Sequence, residues 1–233
     1  MRVLGIETTT MTGSVAVVTD SVVAASYLWN VRSVHSERLM VAIERVLSDA
    51  SIELGGLDGV AVSIGPGSFT GLRIGLSTAK GLCLAAELSL VPVPTLDALA
   101  SRLLFCTHQV CPMLDARKKQ VYACLYDVQN GETRRLSEPV AISPVALLKG
   151  ISRTTVFLGN GASLYREQIV KALGERASFA PAELNHPDAA TVARLGISRL
   201  QRGEKVDPES LEPMYLRGPD VGKDRSKTGQ HNL

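Results

Sequence analysis

The chain has 233 residues, of which 45% are hydrophobic and 21% charged, and its formal net charge is +2. That length supplies the core of one large or two small domains, and the composition is that of an ordinary water-soluble globular protein. No apolar run is long enough to cross a bilayer, the amino terminus turns polar by Glu7 and does not read as a signal peptide, and near-neutral charge with one Trp and four Phe gives no reason to expect direct nucleic-acid binding.

In chain order, Arg2–Glu7 predicts an apolar strand, residues 8–13 a turn rich in Thr and Gly, and residues 14–18 and 22–29 two further strands of an antiparallel meander. Residues 35–50 predict a helix. Leu39, Met40, Ala42, Ile43, Val46, Leu47 and Ala50 share one side of it, an arc of roughly 160° at about 100° per residue, wider than a surface helix needs. Gly55-Gly56 breaks the chain. Residues 59–64 form a continuous apolar run, the pattern of a strand covered on both faces. A glycine loop leads into a helix over 72–86, and a short strand at 91–93 precedes a helix from Leu96 to about Phe105, with Thr95 as its cap.

The second half repeats this order. Residues 110–115 predict a strand, and 120–127 with 132–140, joined across Gln129-Asn130-Gly131, a hairpin. Ser143 caps a short helix to Lys149. A strand at 155–158 ends in Gly159-Asn160-Gly161, followed by a helix over 162–173, a short strand at 177–179, and an amphipathic helix over 187–201 with Pro187 in its first turn. From Gly218 the sequence is polar and reads as a mobile tail.

Three strands, helix, strand, helix, strand, helix thus occurs twice. Tandem β-β-β-α-β-α-β-α units make the duplicated ribonuclease-H-like architecture of the actin-like ATPase (ASKHA) fold, seen in sugar kinases, actin and Hsp70 chaperones. The expected division is an N-terminal unit over 1–105, a C-terminal unit over 106–217 and a tail over 218–233.

In that architecture the turn after the first strand of each unit faces a nucleotide's phosphates. The first unit offers Glu7, Thr8 and Thr9 there, either as ligands or as a β-turn whose threonines bond their own backbone. The second offers Asp115 followed by Ala116, Arg117, Lys118 and Lys119, which has the acid but not the glycines, so Arg117 and Lys118 remain as point charges for a phosphate. That basic run reads first as a solvated loop.

Residues 65–75, GPGSFTGLRIG, leave two readings open. Gly65, Gly67 and Ser68 suit a loop whose backbone faces an anion. It is not a P-loop, because Leu72-Arg73 stands where Lys-Ser/Thr would follow the last glycine. Gly71, Gly75 and Ala79 also form a small-residue stripe that lets another helix come close. With Leu39, Met40, Ile43, Leu47 and Leu72 this stripe is the expected partner-binding surface. The four histidines have no metal-ligand spacing, so no metal site is expected, and the four cysteines, lacking C-x-x-C, read as buried thiols of a reducing cytoplasm. No catalytic residue is assigned.

These residues also carry a resemblance. Ile6-Glu7-Thr8 with residues 14–17, residues 35–39, the glycine segment 65–75, Asp115-Ala116-Arg117 and residues 213–217 resemble the TsaB (YeaZ) family over nearly the whole chain. The resemblance implies a cytoplasmic, non-catalytic dimerisation subunit of the machinery that makes N6-threonylcarbamoyladenosine in tRNA. It implies pairing with a TsaD-like subunit that holds the metal and the transferase chemistry, docking of a TsaE-like ATPase on that pair, and a homodimer when the chain is alone. It implies no cofactor of its own, ATP or ADP at a shared interface, and tRNA reached mainly through the complex. Glu7 stands where many members have Asp. A stand-alone actin-like ATPase or kinase using Glu7 and Asp115 is the alternative, and a metallopeptidase a remote third.

Overall fold

Strand β1 (Arg2–Glu7) is buried from Val3 onward, as a strand with neighbours on both sides must be. In the computed structural model, which describes residues 1–20, 22–30 and 35–217, β2 (Gly13–Thr19) pairs antiparallel with β1 and β3 (Val22–Trp29) continues the meander as an edge. The side chain of His35 and the tail from Gly218, expected to be mobile, lie outside the described residues. On the other side of β1, β4 (Gly59–Gly65) and β5 (Ser89–Pro94) run parallel to it, giving the order β3-β2-β1-β4-β5.

The second sheet is built from β6 (Gln109–Asp115), β7 (Val121–Ala123), β8 (Tyr126–Gln129), β9 (Glu132–Arg135), β10 (Val140–Ile142), β11 (Thr155–Leu158) and β12 (Ala177–Phe179). Its main path is β10-β7-β6-β11-β12, the same topology as the first sheet. The duplicated ribonuclease-H-like fold expected from element order is therefore present. The predicted hairpin differs in detail. Each arm is broken, so β8 and β9 form a separate ribbon that turns at Asn130 and Gly131, whose φ of 53° and 77° are the left-handed pair that a two-residue hairpin turn requires.

Helices α1 (His35–Asp49) and α2 (Phe69–Ala86) cover one face of the first sheet, where Leu39, Ile43, Val46, Leu76, Ala79 and Cys83 meet Leu4, Ile6, Val15 and Val17. α3 (Thr95–Ala100) turns Leu96 and Leu99 toward Val110, Leu114 and Tyr126 of the second sheet. α4 (Pro144–Lys149), α5 (Asn160–Leu164) and α6 (Arg166–Leu173) belong to the second half. α7 (Ala189–Gln201), last in the chain, packs Val192, Ala193 and Ile197 on the far face of the first sheet. A Cβ on Gly5 would stand 2.0 Å from the Ala189 carbonyl oxygen, so only glycine admits the start of α7. The two halves thus exchange their final helices and are interlocked.

Four helices depart from sequence expectation, the first being the single helix expected over 162–173, which is broken at Tyr165 into α5 and α6. α2 begins at Phe69 because the Ser68 hydroxyl accepts from the Gly71 N–H at 3.3 Å. Pro94, not Thr95, is the N-cap of α3, which ends at Ala100, and the Thr95 hydroxyl is buried without a partner. Asp188 caps α7 by accepting from the Thr191 N–H at 2.9 Å, leaving Pro187 outside the helix. No helix among the described residues is long and apolar enough to cross a membrane.

Candidate functional site

Glu7 ends β1 with its carboxyl fully buried. The Thr9 N–H donates to one oxygen at 2.6 Å, the Thr9 hydroxyl donates to the same oxygen, and the Ser63 hydroxyl donates to the other. Burial pushes its pKa up, and the hydrogen bonds from Ser63 and Thr9 oppose that rise. Thr8 donates from its hydroxyl to the Gly71 carbonyl at 2.8 Å. All three residues are engaged by their own chain.

The glycine loop lies directly on this turn. The Ser68 N–H donates to the Thr9 carbonyl at 2.7 Å, and a Cβ on Gly67 would stand 2.4 Å from that same oxygen. Gly65, at φ 113°, lets the chain turn beneath the Met214 carbonyl, which would be 2.6 Å from a Cβ there. Glu7, Thr8, Thr9, Gly65, Gly67 and Ser68, the residues expected to face a phosphate, thus contact one another and their own chain. The loop's backbone covers the turn, and the turn's polar groups are satisfied within the chain.

The second half keeps the same plan with different contents. Gly159, at φ 103°, ends β11 as Gly65 ends β4, and a Cβ there would stand 2.2 Å from the Met113 carbonyl. Asn160 accepts the Asp115 N–H at 3.0 Å. Asp115 is half-buried and accepts from the Arg117 N–H at 2.9 Å, with the Arg117 guanidinium 3.4 Å from its other oxygen. Arg117, Lys118 and Lys119 all sit at positive φ, 62°, 49° and 60°. Three successive left-handed residues make a tight turn that points three long side chains outward.

Side chains tie the start of α7 and the segment before it to the first half. Thr12 meets His186 Nδ1 at 3.1 Å, the Ala189 N–H donates to Ser14 at 2.9 Å, and Arg102 bonds the His186 carbonyl and pairs with Asp188 at 3.2 Å. Deeper in, Asp97 of α3 accepts from Tyr126 at 2.8 Å and from Arg135 at 2.7 and 2.8 Å, while Arg199 of α7 reaches it at 3.3 Å. None of these partners has a local sequence signal, because each pair joins segments far apart in the chain.

Residues 207–217 form a strap. The Met214 N–H donates to the Ile64 carbonyl at 2.7 Å, Tyr215 stacks on Phe69 at 5.3 Å, and Arg73 lies 4.0 Å over the Phe69 ring. Arg217 then donates to the Ala116 carbonyl at 3.1 Å. One segment therefore bridges the glycine loop of the first half and the Asp115 turn of the second.

The stripe expected to pair with another helix faces inward. A Cβ on Gly71 would stand 1.9 Å from the Thr8 carbonyl oxygen and one on Gly75 2.3 Å from the Thr8 hydroxyl, so these glycines admit β1 of their own half. Leu39, Ile43 and Ala79 are buried in that core, Leu47 is packed against it and Leu72 is also buried; of the eight, only Met40 is exposed. The outward faces carry other residues: Val41 on α1 is 65% exposed and Leu84 on α2 is 59% exposed. Gly81 lies between Ser77 and Leu84 on that side of α2, and a Cβ there would meet nothing within 4 Å. Beside them a groove of about 390 Å³ runs between Leu28 and Trp29 of β3 and Arg38, Val41 and Arg45 of α1.

Comparison with known proteins decides the family. The chain is 31% identical over 220 residues to the tRNA threonylcarbamoyladenosine biosynthesis protein TsaB of Bacillus subtilis, covering 93% of this chain and 94% of that one. It belongs to the TsaB (YeaZ) family. The Escherichia coli TsaB is 31% identical over 228 residues, covering 93% of this chain and 95% of that protein. The solved structure of YeaZ from Pseudomonas aeruginosa aligns with a TM-score of 0.80 at 27% identity, covering 92% of this chain and 99% of that one. The family described as TsaD, tRNA N6-adenosine threonylcarbamoyltransferase, matches residues 30–222, so the TsaB and TsaD patterns overlap in this chain. TsaB-family membership ties the chain to tRNA threonylcarbamoyladenosine biosynthesis.

Proposed function

We propose that this chain is a non-catalytic pairing subunit of the tRNA threonylcarbamoyltransferase complex, acting in the cytoplasm beside a TsaD-type catalytic subunit. The observation behind this reading is the contrast between two surfaces. The turn that meets phosphate in active actin-like proteins is covered by Gly67 and Ser68, and Glu7 is locked to Thr9 and Ser63. Meanwhile α1 and α2 hold apolar Met40, Val41 and Leu84 in solvent.

Gly81 supports the same reading. A glycine inside a helix costs about 1 kcal/mol relative to alanine, and among the described residues nothing lies within 4 Å of the missing Cβ. Close approach of a second helix along Ser77, Gly81 and Leu84 gives it a use. A homologous subunit has the matching pair of helices, and the same faces serve a homodimer when that subunit is absent. The pair in turn offers a docking platform to a TsaE-type ATPase, and nucleotide sits at a shared interface rather than in this chain's own cleft.

The interlocked halves fit a subunit that does not cycle. Cleft closure around a nucleotide needs the halves to move, and the Asp97, Arg135 and Arg199 cluster with the Arg102–Asp188 pair opposes it. Reconstitution tests the reading. Threonylcarbamoyladenosine formation on tRNA by the TsaD-type subunit, with the TsaE-type ATPase, ATP and a threonylcarbamoyl donor, is expected to require this chain. Full activity without it, or activity from this chain alone, overturns the proposal.

A further inference from the structure

The strap gathers cations from distant parts of the sequence. Arg73, Arg217 and the run Arg117, Lys118 and Lys119 follow one another across the join between the halves. The links are Arg73 to Tyr215 at 3.4 Å and Arg217 to the Ala116 carbonyl at 3.1 Å. Arg117 is 81% exposed, and Lys118 and Lys119 are exposed beside it. Among the described residues, the acids Asp115 and Glu212 lie along the same path. Asp115 is held by the Arg117 N–H and guanidinium, and Glu212 is exposed.

We propose that this strip is an RNA-binding face that tracks the phosphodiester backbone of the tRNA substrate. The proposal rests on the function put forward above and gives this chain its own part in holding the RNA. Net charge alone argues against nucleic-acid contact. The fold changes that, because it lines up basic residues that the sequence scatters over some 140 positions, from Arg73 to Arg217.

Three features favour a polyanion over a single carboxylate partner. Successive left-handed residues turn by roughly a third of a circle each, so Arg117, Lys118 and Lys119 fan out instead of converging on one group. Point charges spread along a path suit repeated phosphates, whose neutralisation releases counterions. Tyr215, 40% exposed, and Phe69, 38% exposed, form a stacked aromatic pair beside Arg73, and part-exposed aromatic rings next to a guanidinium suit contact with an unstacked base.

The test is fluorescence anisotropy with labelled unmodified tRNA and the full chain, starting at low salt of about 50 mM. Lys118→Asn with Lys119→Asn removes two charges while keeping residues that tolerate the left-handed turn. Lys149→Gln with Lys171→Gln removes two charges from α4 and α6 as a control. The first pair is expected to weaken binding about tenfold, and to flatten the slope of log K against log salt by about 0.7–0.9 for each phosphate that is no longer neutralised. The control pair is expected to stay within about twofold of wild type.

No binding by the wild type at low salt overturns the proposal, as does an equal loss from both pairs. Displacement of tRNA by polyglutamate as effectively as by unlabelled tRNA also overturns it, assigning the strip to an acidic protein instead. Pairing with the TsaD-type subunit, followed in parallel by gel filtration, separates this inference from the one before it. Intact pairing with unchanged tRNA affinity in the Lys118/Lys119 variant refutes only the RNA face. Failure of the wild type to pair refutes the subunit reading.

Discussion

The Thr8 hydroxyl donates a 2.8 Å hydrogen bond to the Gly71 carbonyl, and this contact fixes which way α2 faces. The small-residue side of the helix is pressed onto the end of β1, so its other side is left outward. Gly75→Ala would place a methyl 2.3 Å from that hydroxyl, and the expected loss is about 1–3 kcal/mol of folding stability. Urea unfolding of the isolated chain measures it. Unchanged stability would mean that the stripe does not face β1.

Gly81→Ala is expected to do the opposite. Its Cβ enters open space, so helix propensity alone acts, and the isolated chain gains about 1 kcal/mol. The same unfolding experiment reads it. A destabilised Gly81→Ala chain would show that this face of α2 is not the outward one.

Two titratable groups, the buried Glu7 and the half-buried His186, give the stability a pH dependence of known sign. Burial raises the Glu7 pKa above 4.5, so the folded chain holds that proton more tightly than the unfolded one. Stability from this group is therefore full at low pH and falls as pH rises from the ordinary carboxylate range through the raised value. Glu7→Gln is expected to remove that fall, read as the urea midpoint from about pH 4 upward. A Glu7→Gln chain with the wild-type slope contradicts it. His186 acts on the other side: burial, then the Arg102 charge, lowers its pKa below 6.5. The unfolded chain then takes up the proton first, and stability falls as pH drops below the ordinary histidine range.

Asp97 holds Tyr126, Arg135 and Arg199 from three separate elements. Asp97→Asn leaves two guanidinium groups without their counter-charge in a partly buried site, and a loss of about 2 kcal/mol is expected. Thermal unfolding with separate probes for the two halves checks the coupling. If the halves still unfold together at the wild-type temperature, the cluster does not tie them.

Element order and the duplicated architecture are legible in the sequence because each rests on local patterns. Continuous apolar runs at 2–7 and 59–65 mark central strands, and Asn130-Gly131 marks its turn. The facing of α2 is not legible. A stripe of Gly71, Gly75 and Ala79 looks alike whether a neighbouring subunit or the chain's own β1 lies against it, and only the position of Thr8 distinguishes them. The strap is hidden for a similar reason. Residues 213–217 stand out as a motif, but their contacts with Ile64 and Ala116 span most of the chain. The reach of α7 onto the first sheet likewise follows from Gly5 and Gly196, whose spacing carries no short-range signal.

Native mass spectrometry of the chain mixed with its TsaD-type subunit is the most direct test of the pairing surface. Gly81→Arg projects a long side chain from the outward face of α2 without touching the core. The wild-type chain is expected to appear as a heterodimer with the TsaD-type subunit. The Gly81→Arg chain is expected to remain folded, with its unfolding transition intact, and to appear unpaired. A heterodimer of undiminished abundance with Gly81→Arg would contradict the account.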